Sequence, residues 1–243
     1  MGRVIMIASG KGGTGKSTMT VNLGMSLAFA GYHVLLMDMN TGLRTLDLYL
    51  GLENRALFDI GDVISGICGK ENAILKFPAN ENLCLLPGSQ KSAEDTLNKD
   101  TVCELIDGIR DEYDFILLDC PPGIGEVIDI CNGVADEAII VVNADYAALR
   151  DADALEDKLI RNGMYARSYI INGLSISLVE KEVALQSEVI DERMRCEMLG
   201  IVLDDINIKA STNQGVPITI KRDTYIAANF DKIAERLLKK EQI

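Results

Sequence analysis

The chain has 243 residues, 48% of them hydrophobic, which is enough to bury a sizeable core at the upper end of what one α/β domain holds. Its net charge of −13 opposes non-specific binding to a polyanion such as DNA, and His33, the sole histidine, leaves no material for histidine triads or most histidine metal sites. The chain opens on a strand-like run rather than a leader and contains no stretch of 18 uninterrupted apolar residues, so the expectation is a cytoplasmic protein of one domain, residues 1–243.

"RVIMIA" (3–8) is an unbroken apolar, β-branched run, and "STMTVNLGMSLAFAG" (17–31) carries Val21, Met25, Ala28 and Phe29 at helical spacing before Gly31. Between them lies "SGKGGTGK", so the chain begins strand, glycine loop, helix. "HVLLMD" (33–38), "FILLD" (115–119), "EAIIVV" (137–142), "RSYIIN" (167–172) and "LGIVL" (199–203) are further short apolar runs, the signature of strands covered on both faces of a parallel sheet. Helical candidates fall between them at 56–67, 97–111, 123–133, 147–162, 179–195 and 224–240. This alternation predicts a doubly wound, mostly parallel α/β sheet with ligands beyond the carboxyl ends of the strands.

The six cysteines show no C-x-x-C pair and read as reduced, mostly buried thiols; a cluster shared across a dimer through Cys120 or Cys131 is the rival. The short basic clusters Lys221-Arg222 and Lys239-Lys240 read as solvated surface charge rather than a nucleic-acid or lipid patch. Phe230, Ile233, Ala234, Leu237 and Leu238 form an apolar stripe on the last helix, which is expected to pack on the domain rather than on a membrane.

The glycine loop fits two patterns. Gly10-x-Gly12-x-x-Gly15 satisfies the dinucleotide fingerprint, with Asp38 placed to hold a ribose. Gly10-x-x-x-x-Gly15-Lys16-Ser17 satisfies the triphosphate loop, and the lysine for phosphates and the hydroxyl for Mg2+ are superfluous to a dinucleotide site. Asp119, ending its strand, stands where Mg2+-nucleotide proteins place a metal-side carboxylate. The backbone amides from Gly12 through Gly13, Thr14, Gly15 and Lys16 to Ser17, with Thr18 opening the helix, can converge on one anion. Lys11 is one lysine more than that loop requires.

With that extra lysine, the chain resembles the deviant phosphate-loop ATPases of the MinD/ParA family. "TGLRTLDLYLGLENRALFDIGDVISG" (41–66), "LLPGSQ" (85–90), "FILLDCPPGIG" (115–125), "ADEAIIVVN" (135–143), "LRDADAL" (149–155) and "ASTNQGVPI" (210–218) carry the resemblance in order along nearly the whole chain, the first of them on the MinD side of the family. The resemblance implies an ATPase that uses ATP and Mg2+, a homodimer formed with ATP, and a protein partner or activator for a switch in cell-division site placement or related positioning. It implies that Lys11 crosses the dimer to the partner's phosphates, against the plainer reading of a solvated charge beside the loop. It further implies that Ser17 ligates Mg2+, that Asp38 and Asp119 hold the metal region, that Asn172 contacts adenine, and that Leu203, Asp204 and Asp205 lie over the base. Gly123 would belong to a γ-phosphate-sensing loop, while Arg150, Asp151 and Asp153 would lie near a dimer and partner surface or simply pair on an exposed helix.

Two residues depart from the family pattern. Asn40 stands where the family has a second aspartate that orients the attacking water, which implies slow hydrolysis and opens the alternative of an ATP-binding regulator or scaffold that hydrolyses little or nothing. Leu203 stands where the family usually has proline, so selectivity for ATP over GTP rests on the resemblance alone. A ParA-like DNA-partitioning protein is opposed by the charge. Direct DNA binding is not expected, nor is membrane contact through this chain alone.

Overall fold

The structure, a computed structural model, describes residues 1–91 and 97–240. The sheet is built from β1 (Arg3–Ala8), β2 (Val34–Asp38), β3 (Leu75–Lys76), β4 (Leu83–Leu86), β5 (Phe115–Asp119), β6 (Glu137–Val142), β7 (Arg167–Leu174) and β8 (Glu197–Leu203). Its spatial order is β3-β4-β2-β5-β1-β6-β7-β8, parallel throughout except for the short edge strand β3. Strands β5 and β6, consecutive in the chain, pair with β1 on its two sides, so the strand order reverses at β1. Above the carboxyl ends of the central strands this reversal leaves the crevice in which such sheets hold ligands.

Successive residues of β1 divide between two cores. Val4, Met6 and Ala8 join one apolar cluster, Ile5 and Ile7 the other, so a continuous apolar run is what a strand covered on both faces requires. The helices follow in chain order: α1 (Lys16–Phe29), α2 (Leu46–Tyr49), α3 (Ile60–Ile64), α4 (Lys70–Ala73), α5 (Lys99–Ile109), α6 (Glu126–Val134), α7 (Tyr146–Arg161), α8 (Ile176–Glu180), α9 (Ser187–Arg193), α10 (Ile206–Asn213) and α11 (Tyr225–Lys239). Helices α1 and α11 pack together on the face of Ile5 and Ile7, while α5, α6 and α7 cover the opposite face. On α11, Phe230, Ile233, Ala234 and Leu237 are buried and Leu238 packs against them, so the terminal stripe belongs to the core. Residues Glu241-Gln242-Ile243 lie outside the described residues.

Several elements differ from the sequence expectation. The helix expected over 179–195 is two helices, α8 and α9, because the chain between them turns at Glu182 (φ 58°) and extends so that the Leu185 amide reaches the Ala144 carbonyl at 2.9 Å. The helix expected over 56–67 is confined to Ile60–Ile64 by a reciprocal cap, in which Asp59 accepts from the Gly61 and Asp62 amides and Asp62 accepts from the Asp59 amide. Strands β3 and β4 and helices α2, α4 and α10 were not foreseen. All six cysteines are free, but only Cys84, Cys120 and Cys131 are fully buried, and among the described residues no cluster of metal-ligating side chains is assembled. Among those residues no helix is long and apolar enough to cross a membrane.

Candidate nucleotide site

The loop leaving β1 owes its shape to its glycines. Gly13 (φ 76°) and Gly15 (φ 92°) occupy the left-handed region, and a Cβ on Gly15 would stand 2.1 Å from Asn172 Nδ2. A Cβ on Gly13 would meet no protein atom within 4 Å, and one on Gly12 only Pro122 Cβ at 4.0 Å, so this side of the loop borders open space rather than packed protein. That space is a cavity of about 550 Å³, lined by the loop glycines, Lys16, Ser17 and Thr18 at one end and by Asn172, Leu203, Asp204 and Asp205 at the other. Gly10 has a different task. A Cβ there would fall 2.0 Å from the Asp151 carbonyl oxygen, so the loop's root is pressed against α7.

Lys16 is buried, and its ammonium donates to Ser9 Oγ at 2.9 Å; burial lowers its pKa and the Asp119 charge works the other way. One hydroxyl is a thin partnership for a buried cation, and an anion in the loop would complete it. The buried Thr14 hydroxyl likewise has no partner among the described residues.

Asp38 and Asp119 end β2 and β5 as register partners, and both are fully buried. Asp119 accepts from Ser17 Oγ at 2.6 Å and Thr20 Oγ1 at 3.1 Å, and from Asn40 Nδ2 at 3.3 Å. Burial, and then the Asp38 charge, push its pKa up to about 7. Burial also raises Asp38, which holds three backbone amides: Thr45 at 2.6 Å, Asn40 at 2.9 Å and Leu46 at 3.0 Å. Two adjacent buried carboxylates facing a helix-end hydroxyl form a hard-oxygen set that suits Mg2+, whose charge would offset their mutual repulsion.

Sequence reasoning therefore named the groups that meet here: Lys16, Ser17, Asp38, Asn40 and Asp119 at the glycine-loop end, Asn172 and 203–205 at the other. It missed Ser9, Thr20, Tyr49 and the amides of Thr45 and Leu46. Tyr49, on α2, lines the cavity together with Thr18. Gly88 within "LLPGSQ" has no local signal for a site role, yet a Cβ there would lie 3.1 Å from the Asp38 carboxyl carbon.

Asn172 donates to the Thr14 carbonyl at 2.7 Å, so its amide braces the loop in this structure. Lys11 stands outside the cavity with its ammonium 3.4 Å from Asp145. Gly123 (φ 91°) donates its amide to the Ser9 carbonyl at 2.9 Å, linking the loop after β5 to the phosphate loop. On α7, Arg150 pairs with Asp151, and Asp153 pairs with Arg193 and Arg195, so the ordinary charge-pairing of an exposed helix accounts for those side chains.

Residues 2–162 match the family described as AAA domain. The septum site-determining protein MinD of Synechocystis sp. is 37% identical over 238 residues, covering 98% of this chain and 90% of that protein. Among solved structures, the MinC:MinD cell division protein complex of Aquifex aeolicus is similar with a TM-score of 0.91 and 35% identity, covering 98% of this chain and 96% of that one. MinD of Pyrococcus horikoshii complexed with Mg-ADP is similar with a TM-score of 0.87 and 31% identity, over 98% and 96% of the two chains. A buried loop lysine, a strand-end carboxylate pair and full-length similarity thus converge, and the chain belongs to the MinD family of septum site-determining ATPases.

Proposed function

We propose that the chain is a slow, Mg2+-dependent ATPase whose ATP-bound form dimerises through the loop face, and that it acts as a timed switch in division-site placement. The observation that carries this reading is the buried, under-partnered Lys16 ammonium beside the Ser17–Asp119–Asp38 set at the mouth of the glycine loop.

Within it, Lys16 and the loop amides bind the phosphates, and the N-terminus of α1 adds its dipole to the same anion. Ser17, Asp38 and Asp119 would hold Mg2+, which when bound supplies positive charge to the phosphate oxygens. Asn172, Leu203, Asp204 and Asp205 form the base end. Asn40 lines the same cavity, where its amide can orient a water by hydrogen bonding. It takes up no proton and brings no negative charge, so turnover without an activator is slow.

Lys11 is the residue that makes dimerisation depend on nucleotide. It sits 41% exposed beyond the cavity rather than in it, as suits a cation that serves a partner's phosphates. The decisive measurement is solution mass with and without Mg-ATP alongside single-turnover phosphate release. A dimer with Mg-ATP that reverts to monomer as phosphate appears is the expected outcome. A protein that stays monomeric, or that releases no phosphate over hours, defeats the proposal. Lys11→Ala should keep monomer nucleotide affinity and lose ATP-driven dimerisation, read by sedimentation equilibrium with a slowly hydrolysed ATP analogue.

A further inference from the structure

The Lys11 ammonium lies 3.4 and 3.5 Å from the two carboxylate oxygens of Asp145 in the same chain. Asp145 also caps α7, its Oδ1 accepting from the Ala148 amide at 2.8 Å. We propose that Asp145 is a positioning residue that parks Lys11 on its own subunit until a partner's triphosphate displaces it. The inference rests on the trans-acting reading of Lys11 given above.

The physical case is a competition between two anions for one cation. The side chains are 41% and 46% exposed, so the pair is worth little and exchanges freely with water. A single half-exposed carboxylate holds Lys11 only weakly, whereas a nucleoside triphosphate presents several negative charges to it. The parked state is thus strong enough to tax chance dimerisation and weak enough to yield to the γ-phosphate.

Two features make the parking specific to the side chain. The loop's root is fixed, since Gly10 is packed against the Asp151 backbone of α7, so loop and helix move together and only the lysine changes partner. Each dimer must also break two such pairs, one per subunit, so the penalty enters the dimerisation constant twice and sharpens its dependence on ATP.

Asp145→Asn separates the two jobs of this residue, because asparagine caps a helix as well as aspartate does but offers Lys11 no charge. Sedimentation equilibrium with a slowly hydrolysed ATP analogue should show dimerisation tightened about three- to ten-fold at low salt, the gain shrinking as salt rises. Monomer nucleotide affinity and thermal midpoint should match the parent. Glu126→Gln, which removes an exposed charge from the first turn of α6, is the control for general charge. The inference is overturned if Asp145→Asn dimerises no more tightly than the parent, or if Glu126→Gln gives the same gain. Lys11→Ala distinguishes the two levels: a variant that still dimerises removes the trans-acting reading itself, whereas its failure to dimerise together with an unchanged Asp145→Asn removes only the parking role.

Discussion

The two ends of the sheet satisfy their charges in opposite ways. At the amino ends of the strands, Glu137 of β6 is met by the guanidinium of Arg3 from β1, Arg110 reaches Asp136, and Lys240 reaches Glu197, so each charge has an opposite charge in the same chain. At the carboxyl ends, Lys16, Asp38 and Asp119 are buried at least as deeply, yet hydroxyls and amides hold them, and no ion pair joins Lys16 to either carboxylate among the described residues. A buried pair that is closed has its desolvation offset within the chain and is costly to break. Buried charges of both signs without an ion pair cost folding energy, and a charged ligand reaching Lys16, which lines the cavity, can relieve that cost. The contrast makes the carboxyl end the one suited to a charged ligand.

Breaking the open end should have the largest effect. Lys16→Ala removes a charge-assisted contact of about 1.5–3 kcal/mol to phosphate, and nucleotide affinity should fall by about ten- to a hundred-fold. Folding stability should hold or rise, since a poorly partnered buried ammonium is gone. Titration with a fluorescent ATP analogue and a thermal melt of the nucleotide-free protein check the two halves. Unchanged affinity would place the phosphates elsewhere.

A smaller effect is expected where the open end is already softened. Asn40 gives Asp119 a donor where the family's aspartate would bring a third carboxylate. Asn40→Asp should raise steady-state hydrolysis about ten-fold, the order of what a positioned carboxylate contributes to activating water. It should also lower the melting point of the nucleotide-free protein, because three carboxylates then converge on one strand end. Phosphate release and a thermal scan read the two effects. No gain in rate would remove position 40 from water activation.

The closed end sharpens the comparison from the other side. Glu137→Gln replaces a charged partner of the Arg3 guanidinium, which also donates to the Leu237 carbonyl and lies over the Phe115 ring, by a neutral amide; it should cost about 1–2 kcal/mol of stability, a melting shift of several degrees, while nucleotide affinity stays within two-fold of the parent. A loss of binding there would mean that the two ends are coupled through β1.

Much of this was legible in the sequence, for a physical reason: the central strands are covered on both faces, so β1, β2, β5, β6, β7 and β8 advertise themselves as apolar runs, and the residue after each run is where a doubly wound sheet holds its ligand. Lys16, Ser17, Asp38 and Asp119 follow from that rule plus loop chemistry. What stayed hidden depends on partners distant in sequence. Strand β4 is four residues between turns, and only its pairing with β2 and β3 makes it a strand. The amides of Thr45 and Leu46 reach Asp38 only because the chain after β2 turns back over it, and Ser9 matters only once Lys16 has folded onto it. The Lys11–Asp145 pair spans 134 residues, and no local pattern announces it.

The smallest expected effect is none, and it concerns the closed end again. Helix α11 runs to that end with an apolar stripe and basic residues in its last turn, the composition of a helix that could lie on an anionic bilayer. Its chemistry is spent. Phe230, Ile233, Ala234 and Leu237 are buried against the sheet and α1, Arg236 donates to the Leu199 carbonyl at 2.7 Å, and Lys240 faces Glu197. Adsorption through this helix would require pulling the stripe from the core at about 25 cal/mol per Å² of apolar surface, against a gain of about 1 kcal/mol per basic residue on a chain carrying −13. The 243-residue chain should therefore not cosediment with vesicles rich in anionic lipid, with or without Mg-ATP. ATP-dependent sedimentation would show that dimerisation frees a surface the monomer keeps buried, and a charge-reversing Lys239→Glu variant would tell whether α11 supplies it.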